Sequence, residues 1–298
     1  ETEAERIVRW YGHHPSFLIL CHGNEPAGKG HVAWLSNWVE HWKQRDPRRL
    51  YVGGAGWPAL TNEHVHVTPK PRLHQWGEGL SSRINARPPE TTSDYRRIVA
   101  GFPSAVIAHE SGQWCVFPNF DEIPKYTGPL KPKNFQIFRD LLARRGMADL
   151  ARSFFLASGR LQTLCYKEEI EAALRTPGLS GFQLLSLQDF PGQGTALVGV
   201  LDPFWEDKGY TSSAEFRRFC GPLVPLARLP RRTLSRSWSM DVTLELAQYT
   251  GRALNEVRVG WRFGPAAGSA LVSGRLDRAS VPIGLVTAGV LWRRRRAG

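Results

Sequence analysis

A chain of 298 residues, 42% hydrophobic and 11% aromatic, can bury a sizeable core and make two domains or one large barrel. Its formal net charge of +12 admits an anionic partner. The arginines are scattered, however, and the four at 293–296 read as a solvated tail, so no basic stripe interleaved with aromatics marks a nucleic-acid binder. No stretch is long and apolar enough to span a membrane. The cysteines at 21, 115, 165 and 220 show neither metal-ligand spacing nor a disulfide framework, and Cys21 and Cys165 read as core thiols.

Residues 2–11 pattern as an amphipathic helix, with Ile7, Val8, Trp10 and Tyr11 apolar. Within 16–22, the unbroken apolar run from Phe17 to Cys21 predicts a parallel strand covered on both faces. Gly23 breaks the run and His22, Asn24 and Glu25 surround the break. A carboxylate is thereby set at the carboxyl end of a strand, where α/β barrels place their chemistry. Val32, Leu35, Val39 and Trp42 recur at helical spacing over 31–45, and Asp46-Pro47 ends that helix.

A short strand at 50–52 runs into Gly53-Gly54-Ala55-Gly56-Trp57-Pro58. This loop lacks both the P-loop and the GxGxxG patterns, so it reads as backbone, with Trp57, approaching a cleft. Residues 64–68 alternate as a strand. His64 and His66 share one face there, and with no third ligand nearby they read as ordinary cleft or structural histidines. A helix at 93–101, capped by Ser93, precedes a second apolar strand from 104 whose tip is His109-Glu110-Ser111-Gly112-Gln113-Trp114. Residues 119–126, 133–145 and 147–176 are mostly helical. Residues 181–187 form another strand, tipped by Gln188 and Asp189.

Strands and helices thus succeed one another from 16 to 187, as in an α/β fold with a parallel sheet and its polar tips at one end. After 221 the grammar changes. Segments 223–229, 239–247, 255–263 and 269–276 alternate apolar and polar, the pattern of an antiparallel β-sandwich.

Two carboxylates on different strand tips are the machinery for breaking a glycosidic bond, one as acid/base and one as nucleophile. The segment His14-Pro15-Ser16-Phe17-Leu18-Ile19-Leu20-Cys21-His22-Gly23-Asn24-Glu25 resembles the His-Pro-Ser…Gly-Asn-Glu signature of glycoside hydrolase family 2, which includes β-galactosidases, β-glucuronidases and β-mannosidases. The resemblance implies a partial (β/α)8 TIM barrel, strands four to eight, over residues 1–221. An immunoglobulin-like β-sandwich, truncated at its end, would occupy 222–298.

By resemblance, Glu25 is the acid/base, Asn24 binds the sugar 2-hydroxyl, and Glu110, ending the seventh strand, is the nucleophile of a retaining, exo-acting β-glycosidase. No metal or organic cofactor is required by that chemistry, the partner is a β-linked carbohydrate, and a periplasmic or secreted location is favoured. His22 and His109 are further candidates for substrate contact. Trp57 and Trp114 are either sugar-stacking platforms or core, and Asp189 either binds hydroxyls or caps its loop.

The chain departs from the family at Glu110, whose surroundings are not the usual wording, and on strand six, where no Tyr is found to hold the nucleophile. Barrel strands one to three are missing. The chain therefore reads as a fragment, expected to be poorly soluble or inactive alone. Its rivals are a non-catalytic carbohydrate-binding relative of the same fold and, further off, a basic nucleic-acid-binding protein.

Overall fold

The computed structural model describes residues 1–194, 196–233, 240–264 and 272–291. In chain order the helices are α1 (Thr2–Tyr11), α2 (His31–Arg45), α3 (Arg83–Ala86), α4 (Arg96–Val99), α5 (Lys133–Arg144), α6 (Ala151–Leu174) and α7 (Ser213–Phe216). The first five strands are β1 (Ile19–Cys21), β2 (Leu50–Val52), β3 (Val65–Thr68), β4 (Ala105–Ser111) and β5 (Leu179–Leu184). The last five are β6 (Leu223–Arg228), β7 (Val242–Gln248), β8 (Leu254–Phe263), β9 (Val272–Val281) and β10 (Gly284–Leu291). The fold is mixed helix and strand with several sheets, and among the described residues no helix is long and apolar enough to cross a membrane. Two compact units emerge, neither continuous in sequence: residues 1–75, 95–113 and 178–185 make the first, and the remainder make the second.

The first unit is a parallel sheet. β1 pairs with β2, and β3, β4 and β5 pair in that order, every ladder parallel. Bridges from Asn24 to Ala55 and from Ala55 to Val67 join the two groups, so the strands follow chain order across the sheet. The core on one side is Leu20, Leu35, Trp38, Val39, Trp42, Tyr51 and Leu60, with Ile7 and Val8 of α1 packed against it. Val52, Val65 and Val67 make a second cluster. Tyr51 anchors the end of α2 by donating its hydroxyl to Asp46 O at 2.6 Å. Asp46 in turn pairs with Arg48 and the buried Arg49, and Arg49 donates to Gly12 O at the end of α1.

Several expectations need correction here. The apolar run from Phe17 to Cys21 is not covered on both faces. Among the described residues β1 pairs only with β2, and of the run only Leu20 is buried while Leu18 is 63% exposed. Trp10 and Tyr11 are exposed instead of packed, and on α2 Trp38 takes the core place expected of the exposed Val32. Ser93 caps no helix: α4 begins only at Arg96, and the Ser93 N–H donates to the Glu90 carboxylate at 2.9 Å. The strand expected at 181–187 lies two to three residues earlier, as β5.

In the second unit α6 supplies the main packing face, with Phe155, Gly159, Tyr166 and Ile170 buried. Gly159 is required because the Tyr210 ring lies where a Cβ would sit, 2.3 Å away. Gln162 and Tyr166 donate to Val198 O at 3.0 and 2.6 Å, tying α6 to the loop before α7. β6, β7 and β10 form one antiparallel sheet in the order β10-β7-β6, and β8 and β9 form a hairpin. Leu246, Val281 and Ala288, with Leu244, Leu254 and Val259, make one apolar cluster drawn from both sheets. β10 was not foreseen. The starts of the segments expected at 239 and 269, and the tail at 293–296, lie outside the described residues.

This unit also buries a cluster of charge. Lys208 and Asp189 pair at 2.6 Å with both side chains 1% exposed. Lys125 bridges Asp202 and Glu206 at 2.5 and 2.6 Å. Glu122 is buried beside them with Oε2 unpaired among the described residues. Burial, helped by Asp189 and Asp202 and opposed by Lys208 and Lys125, pushes its carboxyl up to about 7. A carboxyl raised on folding binds its proton more tightly in the native state. Its stabilisation is therefore present below the ordinary value of 4.5 and is lost as pH rises through about 7. Glu122→Gln should remove on the order of 3 kcal/mol of pH dependence over that window. Urea midpoints at about pH 5 and about pH 8 should converge in the variant; equal pH dependence in both proteins would refute this role for Glu122.

Candidate active site

The candidate site is built at the carboxyl ends of β1 to β4 in the first unit. Beyond β1 the chain stays in the ladder: Ala55 N–H donates to Gly23 O at 2.9 Å and Glu25 N–H donates to Ala55 O at 2.8 Å. Gly56 N–H then donates to Val67 O, also at 2.9 Å, so the tips after β1, β2 and β3 are tied in series. Glu25 sits at φ +48°, in the left-handed region that costs an L-residue free energy. Gly56, at φ +91°, leaves room for it, since a Cβ there would stand 3.1 Å from Glu25 Cγ.

On β4 the decisive feature is a bulge. Ala108 pairs with Phe182 and Ser111 with Leu184, so three steps on β4 oppose two on β5. The extra residue falls at His109 and Glu110, and Glu110 takes φ +82°. Consecutive residues on a regular strand point to opposite faces, whereas a bulge re-aims them. Here it brings His109 Nε2 to 3.2 Å from Glu110 Oε1. One ligand atom each from Glu25, His109 and Glu110 lie within 4.8 Å of one another, which also makes them the trio whose geometry suits a metal ion among the described residues.

The environment of Glu110 is specific. Arg72, just past β3, donates Nη2 to Glu110 Oε2 at 3.3 Å and to His109 O at 2.9 Å, and Nε to His109 O at 3.3 Å. Gln113 Nε2 donates to the same Oε2 at 3.2 Å. His109 is buried, with Nδ1 3.3 Å from Gln183 Oε1 on β5. Glu110 is about one-fifth exposed and Glu25 is open to solvent.

The other expected residues divide. Asn24 is exposed on the ladder between β1 and β2, next to Glu25. His22 stands edge-on to Trp34 and Trp38, with centroids 4.8 and 5.4 Å away, and partial burial, with the N-terminal charge, lowers its pKa. Trp57 is 43% exposed after Gly56. Trp114 belongs to the second unit and donates Nε1 to Glu169 at 2.7 Å. Asp189 also belongs there, closed in its pair with Lys208 and accepting the Gly199 N–H at 2.9 Å. That buried pairing, and not a cleft, accounts for its side chain. His66 pairs with Glu63 at 2.8 Å and His64 accepts the Tyr51 N–H at 3.0 Å, so both are structural.

No protein-family model matches the chain, and no curated protein matches it in sequence. Among solved structures, a "putative beta-galactosidase" from Bacteroides fragilis is similar over 95% of this chain, at 15% identity and a TM-score of 0.47. The chain spans 39% of that protein's length.

Sequence reasoning missed Arg72, Gln113 and Gln183. Arg72 carried one readable signal: it follows Pro69-Lys70-Pro71, a stiff exit from the strand that precedes the one tipped by Glu110. Gln183 had none, because its contact depends on the register of β5 against a bulged strand.

Proposed function

We propose that the chain belongs to a retaining β-glycosidase of the family 2 type. In this reading β1 to β5 are strands four to eight of a (β/α)8 barrel, and residues from 222 onward form the β-sandwich that follows it. The observation that carries the reading is the pair of carboxylates on separate strand tips of one parallel sheet, with oxygens within 4.8 Å. Retaining enzymes hold their carboxyl groups about 5–5.5 Å apart, whereas inverting enzymes need roughly 6.5–9.5 Å to admit a water.

Glu25, open to solvent, protonates the leaving oxygen and later activates water. Glu110, held at Oε2 by Arg72 and Gln113, presents Oε1 to the anomeric carbon. Asn24 binds the 2-hydroxyl beside the acid/base, and Trp57 offers an apolar face to the sugar.

The protein at its full natural length, incubated with a panel of aryl β-glycosides, is expected to release sugar whose first-formed anomer is β by proton NMR. A first-formed α anomer would overturn the retaining assignment. Binding of glycans with no turnover of any aryl glycoside would overturn the enzymatic reading in favour of a carbohydrate-binding relative.

A further inference from the structure

Beside the Glu110 carboxylate lies a buried nitrogen that the proposed reaction does not use. The His109 side chain is 8% exposed, and its Nε2 makes no hydrogen bond among the described residues. Glu110 Oε1 is 3.2 Å away but outside hydrogen-bonding geometry. Buried imidazole nitrogens are ordinarily paired, so an open one set 3.2 Å from a carboxylate, in a trio of possible ligands, points to a missing electrophile. Nδ1 faces the Gln183 amide oxygen, which favours the proton on that nitrogen and leaves the Nε2 lone pair beside the Glu110 carboxylate. Metal-ligating histidines likewise donate their other ring N–H to an oxygen acceptor.

We infer that Glu25, His109 and Glu110 form a binding site for a divalent transition-metal ion of the zinc class. Zinc takes nitrogen and carboxylate oxygen at about 2.0–2.2 Å, so its tetrahedral ligands stand roughly 3.3–3.5 Å apart. The His109–Glu110 edge already has about that length, and the remaining closure falls to the exposed Glu25 side chain. The imidazole selects against magnesium and calcium, which prefer oxygen ligands throughout. Arg72 on Glu110 Oε2 repels a cation and makes the site exchangeable, not structural. An ion held there withdraws both glutamates from a sugar. That inhibitory consequence rests on the glycosidase reading, whereas the binding itself does not.

Calorimetric titration of zinc chloride into the chelator-stripped protein at its full natural length tests the site, with magnesium chloride as the control. One zinc per chain is expected, weakened at least ~10-fold in both His109→Gln and Glu25→Gln, with no heat from magnesium. The absence of a stoichiometric zinc site overturns the inference, as does wild-type affinity in either variant. The latter would assign the ion to another pair, such as the adjacent rings of His13 and His14, whose centroids are 4.1 Å apart. A protein that binds zinc at these residues yet, once chelator-stripped, cleaves no glycoside would refute the glycosidase and leave the metal site standing. A working glycosidase without the zinc site would do the reverse.

Discussion

Glu110→Ala is expected to lower kcat on aryl β-glycosides by several orders of magnitude while leaving the fold intact. The carboxylate is the only group in the proposed mechanism that forms a covalent bond to sugar, so nothing else among its neighbours can replace it. Azide supplied in solution should partly restore turnover and give the glycosyl azide of inverted configuration, because a single displacement then replaces two. Glu25→Ala should behave differently. Substrates with good leaving groups need little protonation, so their first step is spared and the second becomes slow. Azide then attacks the glycosyl-enzyme and yields the retained product. The two product configurations, read by NMR, assign the two roles independently. Unchanged activity in Glu110→Ala, or inverted azide product from Glu25→Ala, would sink the assignment.

Arg72→Ala should cost about 100-fold in kcat/KM, or roughly 2.7 kcal/mol, the range seen when one preorganised donor is removed from a site. Arg72 is a positioning residue on this reading. It holds the nucleophile carboxylate through Nη2 and clamps the carbonyl of the bulged residue through two nitrogens. The diagnostic measurement is inactivation by a 2-deoxy-2-fluoro glycoside, which reports attack by the nucleophile per active site. That rate should fall with kcat/KM in Arg72→Ala and recover partly in Arg72→Lys, which keeps the charge but loses the fork. A loss confined to the fraction of titratable sites, with an unchanged rate per site, would show that Arg72 only supports folding.

The strand tips were legible because two rules coincide. Apolar runs of strand length stop at glycine, as at Gly23, or pass into a polar cluster, as at His109 to Gln113, and parallel strands put such stops at one end of a sheet. Periodicity also placed α1 and α2 to the residue or nearly so, since a stripe at spacings of three and four over 10–15 residues has few other readings. The exposure of Leu18 and Ile19 was illegible, because an apolar run looks the same whether one face of the strand is covered or both.

The bulge in β4 was illegible for another reason. An alternation pattern counts residues on one strand and carries no information about the count on its partner. Without the bulge, His109 and Glu110 read as pointing apart, and the trio with Glu25 could not be assembled. Asp189 shows the converse. It lies beyond the end of β5 as Glu25 lies beyond the end of β1, but a lysine 19 residues later closes over it.

The left-handed backbone at Glu25 and Glu110 ties the sheet's history to its chemistry. Those positions are conformationally suited to glycine, and an L-residue there costs on the order of 1–3 kcal/mol. Glycine would relieve that cost while deleting the side chain. A relative that no longer needed the carboxylates would gain that backbone free energy on substitution by glycine at both positions, offset at 110 by the lost pairing with Arg72. On the proposed function, relatives with acids at both positions are expected to keep the activity, and relatives with glycine there to lack it.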